Sequence, residues 1–377
     1  MKSTSDKQIN KFSRQLSGII FNQWSRNIFR RKESLFWINT FKSQIKARKI
    51  RNKATSEGTY VPPVAVFSIT NKCNLKCRGC YANAQKRDIQ KEMTTGRIAS
   101  LLGEASDCGT RIMIIAGGEP LMRPDVLREA ANRKEMLFPV FTNGLFLQNG
   151  MSKMFCDNRN LIPILSIEGS KEDTDDRRGT GISEVVENAI DNLKGEQIFF
   201  GVSITLTRHN FGEVMSPSFI NHYFEKGCRL FFFIEYVPAC SDEYDNCLTD
   251  KQKVSMSVRM SNLRLVFPSE FIALPGDDEQ YGGCLASGRG FIHISSTGNI
   301  EPCPFAPFSD VNVNNTSYRE ALKSDLLKRV RDSHHLLSEA QGGCTLWENR
   351  EWIDKNIMGK KSADEENKVL SFEDEAA

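Results

Sequence analysis

Three cysteines lie within eight residues of one another, and their spacing could support metal chemistry. Cys73, Cys77 and Cys80 occur in the run SITNKCNLKCRGCYA, directly after an apolar segment. Three thiolates bind three irons of a [4Fe-4S] cubane and leave the fourth iron open to an outside ligand, whereas an electron-transfer ferredoxin normally supplies four cysteines. A zinc knuckle is the alternative, but structural zinc prefers four protein ligands, and no Cys or His follows in the next twenty residues. The triad therefore favours a cluster that binds something at its fourth iron.

The middle of the chain alternates short apolar runs with helical patterns, which predicts how these thiols are positioned. Six strands, each followed by a helical segment, predict an α/β fold with a parallel sheet, open or partly closed as a barrel. In such a sheet the active site lies at the carboxyl ends of the strands, so the polar residues after each run are the candidates. The apolar runs cover residues 64–69, 112–115, 139–142, 162–167, 198–206 and 230–237.

The cysteine run after a strand resembles the signature of the radical SAM superfamily. Gly117-Gly118-Glu119-Pro120 is similar to the family's GGEP motif, and Ser166-Ile167-Glu168-Gly169 resembles a Ser-Leu-Asp-Gly motif of its peptide-modifying branch. The resemblance implies a partial (β/α)6 barrel over residues 60–240, with a [4Fe-4S] cluster that chelates S-adenosylmethionine (SAM). One electron from an external donor such as flavodoxin or ferredoxin then yields a 5'-deoxyadenosyl radical, which abstracts hydrogen from the substrate.

The resemblance also implies roles for residues at the methionine end of SAM. Gly117 and Gly118 let backbone groups approach the cofactor, because glycine has no side chain to obstruct them. The carboxylate of Glu119 favours the positively charged amino group of SAM. Ser166 and Arg178 correspond to a serine and an arginine that contact the cofactor in the peptide-modifying branch.

Other residues are expected at the adenosyl end of SAM. Glu168 stands where relatives have Asp, and its longer carboxylate could accept a ribose hydroxyl. Ser203 lies on the fifth strand and could also reach the ribose, or simply fill the barrel as a small residue. Val237 follows the sixth strand and fits an apolar position in the adenine pocket. Many relatives have an aromatic residue directly before the third cysteine, where this chain has Gly79, so Tyr81 is expected to pack against the adenine instead.

A second group of cysteines follows the predicted barrel. Cys284, Cys303 and Cys344 resemble the start of an auxiliary-cluster domain called SPASM, or its shorter form called twitch. The dense run of cysteines that completes a SPASM domain is missing after Cys303. The resemblance therefore implies at most one second [4Fe-4S] cluster, with Cys240 or Cys247 as its fourth ligand or with an open site. The alternative is three buried structural cysteines, since free Cys is among the most buried residue types.

The first 60 residues form a basic arm with a net charge of +11, against −8 for the rest of the chain. The apolar residues of this arm recur at steps of three or four, which predicts amphipathic helices. Such a face could dock against the barrel, lie on an anionic membrane surface, or bind nucleic acid or a peptide, and docking is favoured. An integral membrane protein is not expected, because no apolar run approaches eighteen residues. The periodic residues are Ile9, Phe12, Leu16, Ile20, Trp24 and Ile28.

The composition and motifs together predict an enzyme of a reducing cytoplasm, peripheral to a membrane if the arm binds lipid. Eleven cysteines without a secretory leader favour metal ligation over disulfides. We expect an arm at 1–58, a radical SAM core at 59–240, an auxiliary-cluster domain at 241–358 and a charged tail at 359–377. No residue is assigned a catalytic role beyond cofactor and cluster binding.

Three substrate classes and one other function follow from these motifs. The motifs lean toward a peptide or protein substrate, although the branch that carries them also includes enzymes acting on small molecules. A membrane-surface enzyme acting on a lipid or lipid-linked substrate is a second reading. The alternative from another class is a non-catalytic iron-sulfur electron carrier or redox sensor, which would not cleave SAM. A nucleic-acid partner is not expected.

Overall fold

The computed structural model of the protein describes residues 4–29, 31–147, 150–238, 241–274, 281, 283–333 and 344–355. Cys240, one of the two expected fourth ligands, lies outside these ranges, as does the predicted tail at 359–377. The boundaries expected at residues 58, 240 and 358 stay predictions.

A curled sheet with helices on its outer face forms the body of the protein. Apart from one antiparallel pair at the end of the sheet, all neighbouring strands are parallel. The predicted α/β half-barrel is thereby confirmed. The strands are β1 (Val64–Thr70), β2 (Ile112–Gly117), β3 (Phe138–Thr142), β4 (Leu161–Ile167), β5 (Gly201–Leu206), β6 (Leu230–Glu235), β7 (Glu270–Leu274), β8 (Phe291–Ile294) and β9 (Ile300–Glu301), and their order in the sheet is β7-β6-β5-β4-β3-β2-β1-β8-β9.

Helices precede, connect and follow these strands. The first two, α1 and α2, belong to the basic arm, and most of the others cross between parallel strands, as a parallel sheet requires. The helices are α1 (Thr4–Arg26), α2 (Arg31–Ser56), α3 (Tyr81–Ala84), α4 (Thr95–Cys108), α5 (Pro124–Asn132), α6 (Ser152–Asp157), α7 (Lys171–Arg178), α8 (Ile182–Gly195), α9 (Phe211–Val214), α10 (Pro217–Glu225), α11 (Asp250–Val266), α12 (Tyr318–Ala321), α13 (Asp325–Asp332), α14 (Thr345–Glu348) and α15 (Arg350–Ile353).

The sheet continues past the six predicted strands. β7 pairs with β6, and β8 pairs in parallel with β1. Both strands lie in the region 241–358, which was expected to form a separate auxiliary domain. β9 then pairs antiparallel with β8, as in a hairpin. β1, the strand that leads into the cysteine loop, therefore has hydrogen-bonded neighbours on both sides, β2 and β8.

The basic arm packs under the amino ends of the strands. Helix α2 contacts the segments that enter β2, β3 and β5: Arg51 Nη1 donates to Gly109 O at 2.6 Å, Ser43 Oγ donates to Glu135 O at 2.9 Å, and the rings of Trp37 and Phe199 lie 5.1 Å apart. The docking predicted for the apolar face of the arm is seen at Ile20 and Trp37, which are buried, whereas Ile28 of the same arm is 48% exposed. None of the described helices combines the length and apolar character needed to cross a membrane.

Helix α1 reaches the strands at the open side of the half-barrel. Arg26 forms a 3.1 Å ion pair with Glu270, the first residue of β7. Phe12 packs edge-on against Tyr281 with ring centroids 5.3 Å apart, just ahead of β8. Because β7 is one edge of the sheet and β8 is next to the other edge, β9, α1 spans the gap between the two sides of the half-barrel.

Candidate active site

The segment after β1 carries the three thiols and is held at both ends. At its start, Asn71 N and Thr70 Oγ1 donate to Glu92 Oε1 at 2.6 and 3.0 Å. At its end, Arg78 N donates to Arg177 O at 3.0 Å, so α7 fixes the approach to the third cysteine. These bonds keep the loop at the carboxyl edge of the sheet, where the resemblance predicts the cluster.

The thiols of this loop are partly buried and electrostatically coupled. Burial raises the pKa of Cys73, and the charges of Cys77 and Cys80 also act on it. Burial also raises the pKa of Cys77, while the nearby Arg178 and then Arg177 oppose that shift. A [4Fe-4S] cluster would replace the thiol protons, because iron binds the thiolate form. The donor set, three cysteines of one loop beside two arginines, fits an anionic cluster.

The ligand geometry differs from that of a single metal ion. Among the described residues, no group of three His, Cys, Asp or Glu side chains converges on a point that could hold one ion. A cubane binds each cysteine through a different iron, so its three thiolates need not share a point. The arrangement is therefore compatible with a cluster and lacks the convergence of a zinc knuckle.

Gly117 and Gly118 lie against the backbone of the cluster loop. A Cβ at Gly117 would overlap Thr70 O, and one at Gly118 would overlap Lys72 O. Gly118 N donates to Thr70 O at 2.7 Å, and Glu119 N donates to Lys72 O at 2.8 Å. Both positions require glycine because the loop passes within hydrogen-bonding distance of the end of β2.

The side chain of Glu119 is buried and points away from solvent. It accepts hydrogen bonds from Leu121 N (2.9 Å), Thr142 Oγ1 (2.8 Å) and Asn143 N (2.9 Å). Burial raises the pKa of its carboxyl group, and these three donors oppose the shift. The carboxylate expected to meet the amino group of SAM thus ties the end of β2 to the end of β3.

Glu168, after β4, is the centre of a buried ion cluster. Its Oε1 accepts from Arg177 Nη1 at 2.7 Å and from Arg178 Nε at 2.8 Å. Its Oε2 is buried and lacks a hydrogen-bond partner among the described residues. A buried carboxylate oxygen without a donor is costly, so this atom is suited to a donor from a ligand, such as a ribose hydroxyl.

The predicted serines stand next to each other on β4 and β5. Ser166 and Ser203 are register partners, and their hydroxyl oxygens are 3.1 Å apart. Thr205, two residues on, accepts a hydrogen bond from Arg177. The structure thereby brings Ser166, Ser203 and Glu168 to the same end of two neighbouring strands.

A polar cavity of about 340 Å³ opens at this edge of the sheet. Its walls come from the cluster loop (Gly79), from the end of β4 (Glu168), from α7 (Arg177) and from the segment after β6 (Tyr236). The cavity is large enough for the polar half of a nucleoside-containing ligand, and the unpartnered oxygen of Glu168 belongs to a residue that lines it.

Comparison with known proteins identifies the family. Residues 67–215 match the model of the radical SAM superfamily. This region of the chain is a radical SAM domain. The resemblance stated from the sequence is confirmed, and so are the two cofactors of the family, a [4Fe-4S] cluster and SAM. The chain is an enzyme, as its radical SAM relatives are.

The radical SAM relatives differ in what they make. Fe-coproporphyrin III synthase of Methanosarcina barkeri is 30% identical over 155 residues, which cover 40% of this chain and only 39% of that protein. AdoMet-dependent heme synthase of the same organism is 25% identical over 318 residues, which cover 77% of this chain and 89% of that protein. SuiB of Streptococcus suis, solved with the precursor peptide SuiA, superimposes with a TM-score of 0.60 over 78% of this chain and 72% of its own. Its 17% identity makes this a likeness of fold.

The aromatic ring beside Gly79 is that of Tyr236. Gly79 has a φ of +60°, and a Cβ there would overlap the hydroxyl and ring of Tyr236. Tyr81, the residue expected to replace the missing radical SAM aromatic, lies elsewhere: its ring packs edge-on against Phe305, with centroids 4.9 Å apart. Gly79 is the sequence signal for this contact, but Tyr236 is 157 positions away in the chain, so the sequence does not identify which ring lies there.

The auxiliary cysteines belong to one small apolar cluster. A hydrogen bond with Cys344 and burial together raise the pKa of Cys303 well above its usual value, and Cys284 is close enough to contribute. Val237 packs in the same cluster, so the residue expected in the adenine pocket faces these thiols. The groups near Cys247 are different ones. Burial raises the pKa of its thiol, and the charges that act on it are those of Lys253, Arg208, Glu348 and Glu235. The three cysteines thus meet, and Cys247 stands apart from them.

A buried polar chain that the sequence did not reveal joins the radical SAM barrel to the β8–β9 hairpin. Ser68 Oγ lies 2.8 Å from His293 Nε2, and His293 Nδ1 lies 2.7 Å from Glu301 Oε2. Arg87 pairs with both carboxylate oxygens of Glu301 at 2.7 and 2.8 Å.

Proposed function

We propose that the protein holds a [4Fe-4S] cluster on Cys73, Cys77 and Cys80 and binds SAM beside it, to abstract hydrogen from an organic substrate. The observation that carries the proposal is the contact between the cluster loop and the ion cluster of Glu168: Arg177 Nε donates to Arg78 O at 3.1 Å, and Arg177 Nη1 donates to Glu168 Oε1 at 2.7 Å. These residues come from two segments about a hundred positions apart. An electron-carrier protein would have no use for a buried, half-satisfied carboxylate at its cluster.

The chain's own residues would bind and orient the cofactors. When bound, the cluster and SAM supply a carbon-centred radical of the deoxyadenosyl group. Gly117 and Gly118 allow close approach of the methionine end, and Arg178 neutralises charge near Cys77. Glu168 Oε2 would accept a ribose hydroxyl, and its Oε1 holds both arginines in place.

Anaerobic reconstitution with iron and sulfide, followed by dithionite and SAM, tests this assignment. We expect formation of 5'-deoxyadenosine by the wild type and none by Cys77→Ala. Cys156→Ala, which changes an exposed cysteine on α6, is the matched control and should behave as wild type. An intact cluster that forms no 5'-deoxyadenosine would support the carrier or sensor function instead. A flavodoxin or ferredoxin is the proposed natural donor and should replace dithionite in the same assay.

We also propose a second [4Fe-4S] cluster on Cys284, Cys303 and Cys344. Their location in one apolar cluster supports it, and the thiols would lose their protons on binding iron, because iron binds the thiolate form. Iron analysis tests the proposal: about eight irons per chain are expected with two clusters and about four with one. Cys303→Ala should reduce the count by half, and Cys156→Ala should leave it unchanged.

A membrane-borne substrate is the class that the arm supports best. Four large apolar side chains around the α1–α2 turn face solvent: Phe29 (99% exposed), Leu35 (59%), Ile28 (48%) and Phe21 (44%). They lie on an arm of net charge +11, and basic helices with exposed apolar residues bind anionic membrane surfaces. Membrane contact would account for the apolar side chains of the arm that do not pack against the barrel.

Co-sedimentation with vesicles of phosphatidylserine and phosphatidylcholine tests this surface. Phe29→Ser should reduce binding severalfold, and added salt should weaken wild-type binding by screening the basic arm. Val258→Ser, which removes an exposed apolar side chain from α11, is the matched control. Equal binding by all three proteins would remove the basis for a membrane-borne substrate. The peptide or protein substrate favoured by the Ser-x-Glu-Gly motif would then be the remaining candidate.

A further inference from the structure

The half-barrel contains a cavity of about 290 Å³ whose walls are almost entirely apolar. In a closed parallel barrel the inward side chains of the strands pack against one another and fill the interior. Here they leave a space that is about twice the roughly 150 Å³ of an engineered apolar cavity that binds benzene.

The burial pattern along the strands reflects this space. In β2, the helix-facing residues Met113 and Ile115 are fully buried, whereas Ile112 and Ile114 retain accessible surface and line the cavity. β7 shows the same alternation, with Ile272 facing the cavity. Because neighbouring residues of a strand point to opposite faces, Ile112, Ile114 and Ile272 border one interior space.

The basic arm forms the floor of the cavity. Leu16 and Ile20 of α1 and Trp37 of α2 line it from below. Helix α1 is positioned there by its ion pair between Arg26 and Glu270 and by the contact of Phe12 with Tyr281. The arm therefore encloses the interior and also carries the exposed apolar turn on its outer side.

The other end of the cavity reaches the cofactor side of the protein. Tyr81, directly after the third cysteine of the cluster loop, is one of its walls, and Cys303 and Phe305 of the auxiliary segment are others. A molecule that filled the cavity would extend from the floor formed by α1 to the residue next to Cys80.

The lining excludes most polar occupants. Its residues include no Asp, Glu, Lys, Arg or His among those the structure describes. A peptide backbone buried there would lose hydrogen bonds to water at a cost of about 1–3 kcal/mol for each unpaired group. A tetrapyrrole would bring carboxylates without a cationic partner. A hydrocarbon chain has no such requirement and gains free energy from every buried methylene.

We propose that this cavity binds the hydrocarbon chain of the substrate, an acyl or isoprenoid chain drawn from the membrane that the exposed turn contacts. The proposal rests on the proposed radical SAM function and names its substrate class. The chain would lie among the inward side chains of β1, β2, β6 and β7, with one end near Tyr81.

Fluorescence titration with cis-parinaric acid, a polyunsaturated fatty acid, tests the cavity in the reconstituted full-length protein. We expect saturable binding that hexadecane displaces. Val66→Trp on β1 and Ile272→Trp on β7 each fill the space from one side and should weaken binding at least tenfold. Ser100→Trp adds the same ring on the exposed surface of α4 and should bind as wild type. Thermal unfolding midpoints show whether each variant is folded.

The outcomes separate the cavity from the catalytic proposal. The hydrocarbon site is overturned if the wild type shows no saturable binding. It is also overturned if folded Val66→Trp and Ile272→Trp bind the probe as tightly as the wild type does. Displacement of the probe by a peptide but not by hexadecane also overturns it. Formation of 5'-deoxyadenosine from SAM with dithionite is measured on the same samples without substrate, so a failure of the radical SAM function appears there and leaves the binding result readable.

Discussion

At the scale of single residues, Glu168 has two roles in the proposed cofactor site. One of its carboxylate oxygens holds Arg177 and Arg178, and the other is buried without a partner among the described residues. The same side chain thus positions the charges beside Cys77 and presents an acceptor. A residue with two such tasks is sensitive to loss of charge even when its shape is kept.

Glu168→Gln should therefore weaken SAM binding. A hydrogen bond to a charged group contributes about 1.5–3 kcal/mol, so we expect the Kd for SAM to rise roughly tenfold to a hundredfold. Equilibrium dialysis of SAM against the reconstituted protein measures the change. Glu184→Gln, at an exposed position of α8, is the control. An unchanged Kd in Glu168→Gln would contradict the assignment of Glu168 to the cofactor.

Gly79→Ala should disturb the cluster loop for two separable reasons. A Cβ there meets the ring of Tyr236, and a φ of +60° costs a residue other than glycine about 1–2 kcal/mol. We expect a lower iron content and a lower unfolding midpoint. The double variant Gly79→Ala/Tyr236→Ala removes the steric overlap and should recover part of both losses. If it recovers none, the ring is not the obstacle.

At the scale of elements, the β8–β9 hairpin attaches to the barrel through buried polar groups as well as through strand pairing. His293 of β8 lies between Ser68 of β1 and Glu301 of β9, and Arg87 closes the chain. Buried charges of this kind need every partner, since removal of one leaves another uncompensated. The attachment of the hairpin thus depends on the protonation of one imidazole.

Stability should decrease as pH falls below about 6.5 because of His293. Burial lowers the pKa of this side chain below its usual 6.5, against the opposing effect of Glu301, while Arg87 acts with burial. The unfolded chain therefore binds a proton that the folded protein resists, and stability is lost toward acid by up to about 1.4 kcal/mol per pH unit. Urea unfolding at pH 7.5 and 5.5 should show a smaller decrease for His293→Gln than for wild type. His222→Gln, on the surface, is the control; equal decreases in all three would contradict this role.

The sequence predicts the strands better than it predicts their neighbours. The runs that became β1 to β6 are short, apolar and followed by helical patterns, so their local signal is strong. The pairing of β8 with β1 joins residues more than 200 positions apart, and periodicity carries no information about such pairing. The same limit explains Tyr236 beside Gly79 and His293 beside Ser68: each contact depends on which strands become adjacent.

A sequence motif does not specify the direction in which a side chain points. Gly117 and Gly118 are required by the close approach of the cluster-loop backbone, and their predicted contact with SAM stays a prediction. The direction of Tyr81 toward Phe305 and of Val237 toward the auxiliary thiols depends on the C-terminal segment that packs over them. The local sequence around either residue does not contain that information.

At the scale of the whole molecule, the barrel and the C-terminal segment share one continuous sheet. β7 and β8 belong to the region after the boundary predicted at residue 240, yet they pair with β6 and β1. The arm adds a third part, because α1 contacts both β7 and the segment before β8. The three sequence regions are therefore structurally interdependent.

A chain truncated after residue 240 should fail to form a soluble, folded core. It would expose the free edges of β1 and β6, which are apolar and invite edge-to-edge association. Size-exclusion chromatography and circular dichroism measure the outcome, with aggregation expected. Truncation after residue 358 keeps every described element and is the control. A monomeric, folded 1–240 fragment would contradict the interdependence of the regions.

The pairing of β1 with β8 also fixes an order of events during synthesis. The cysteine loop emerges from the ribosome early, directly after β1, but the second neighbour of β1 is not available until residue 294 has been translated. The hydrogen-bonding groups on that side of β1 stay open throughout this interval. Iron delivered to the nascent chain would meet an unfinished loop support, so cluster insertion is best timed after the C-terminal hairpin has docked.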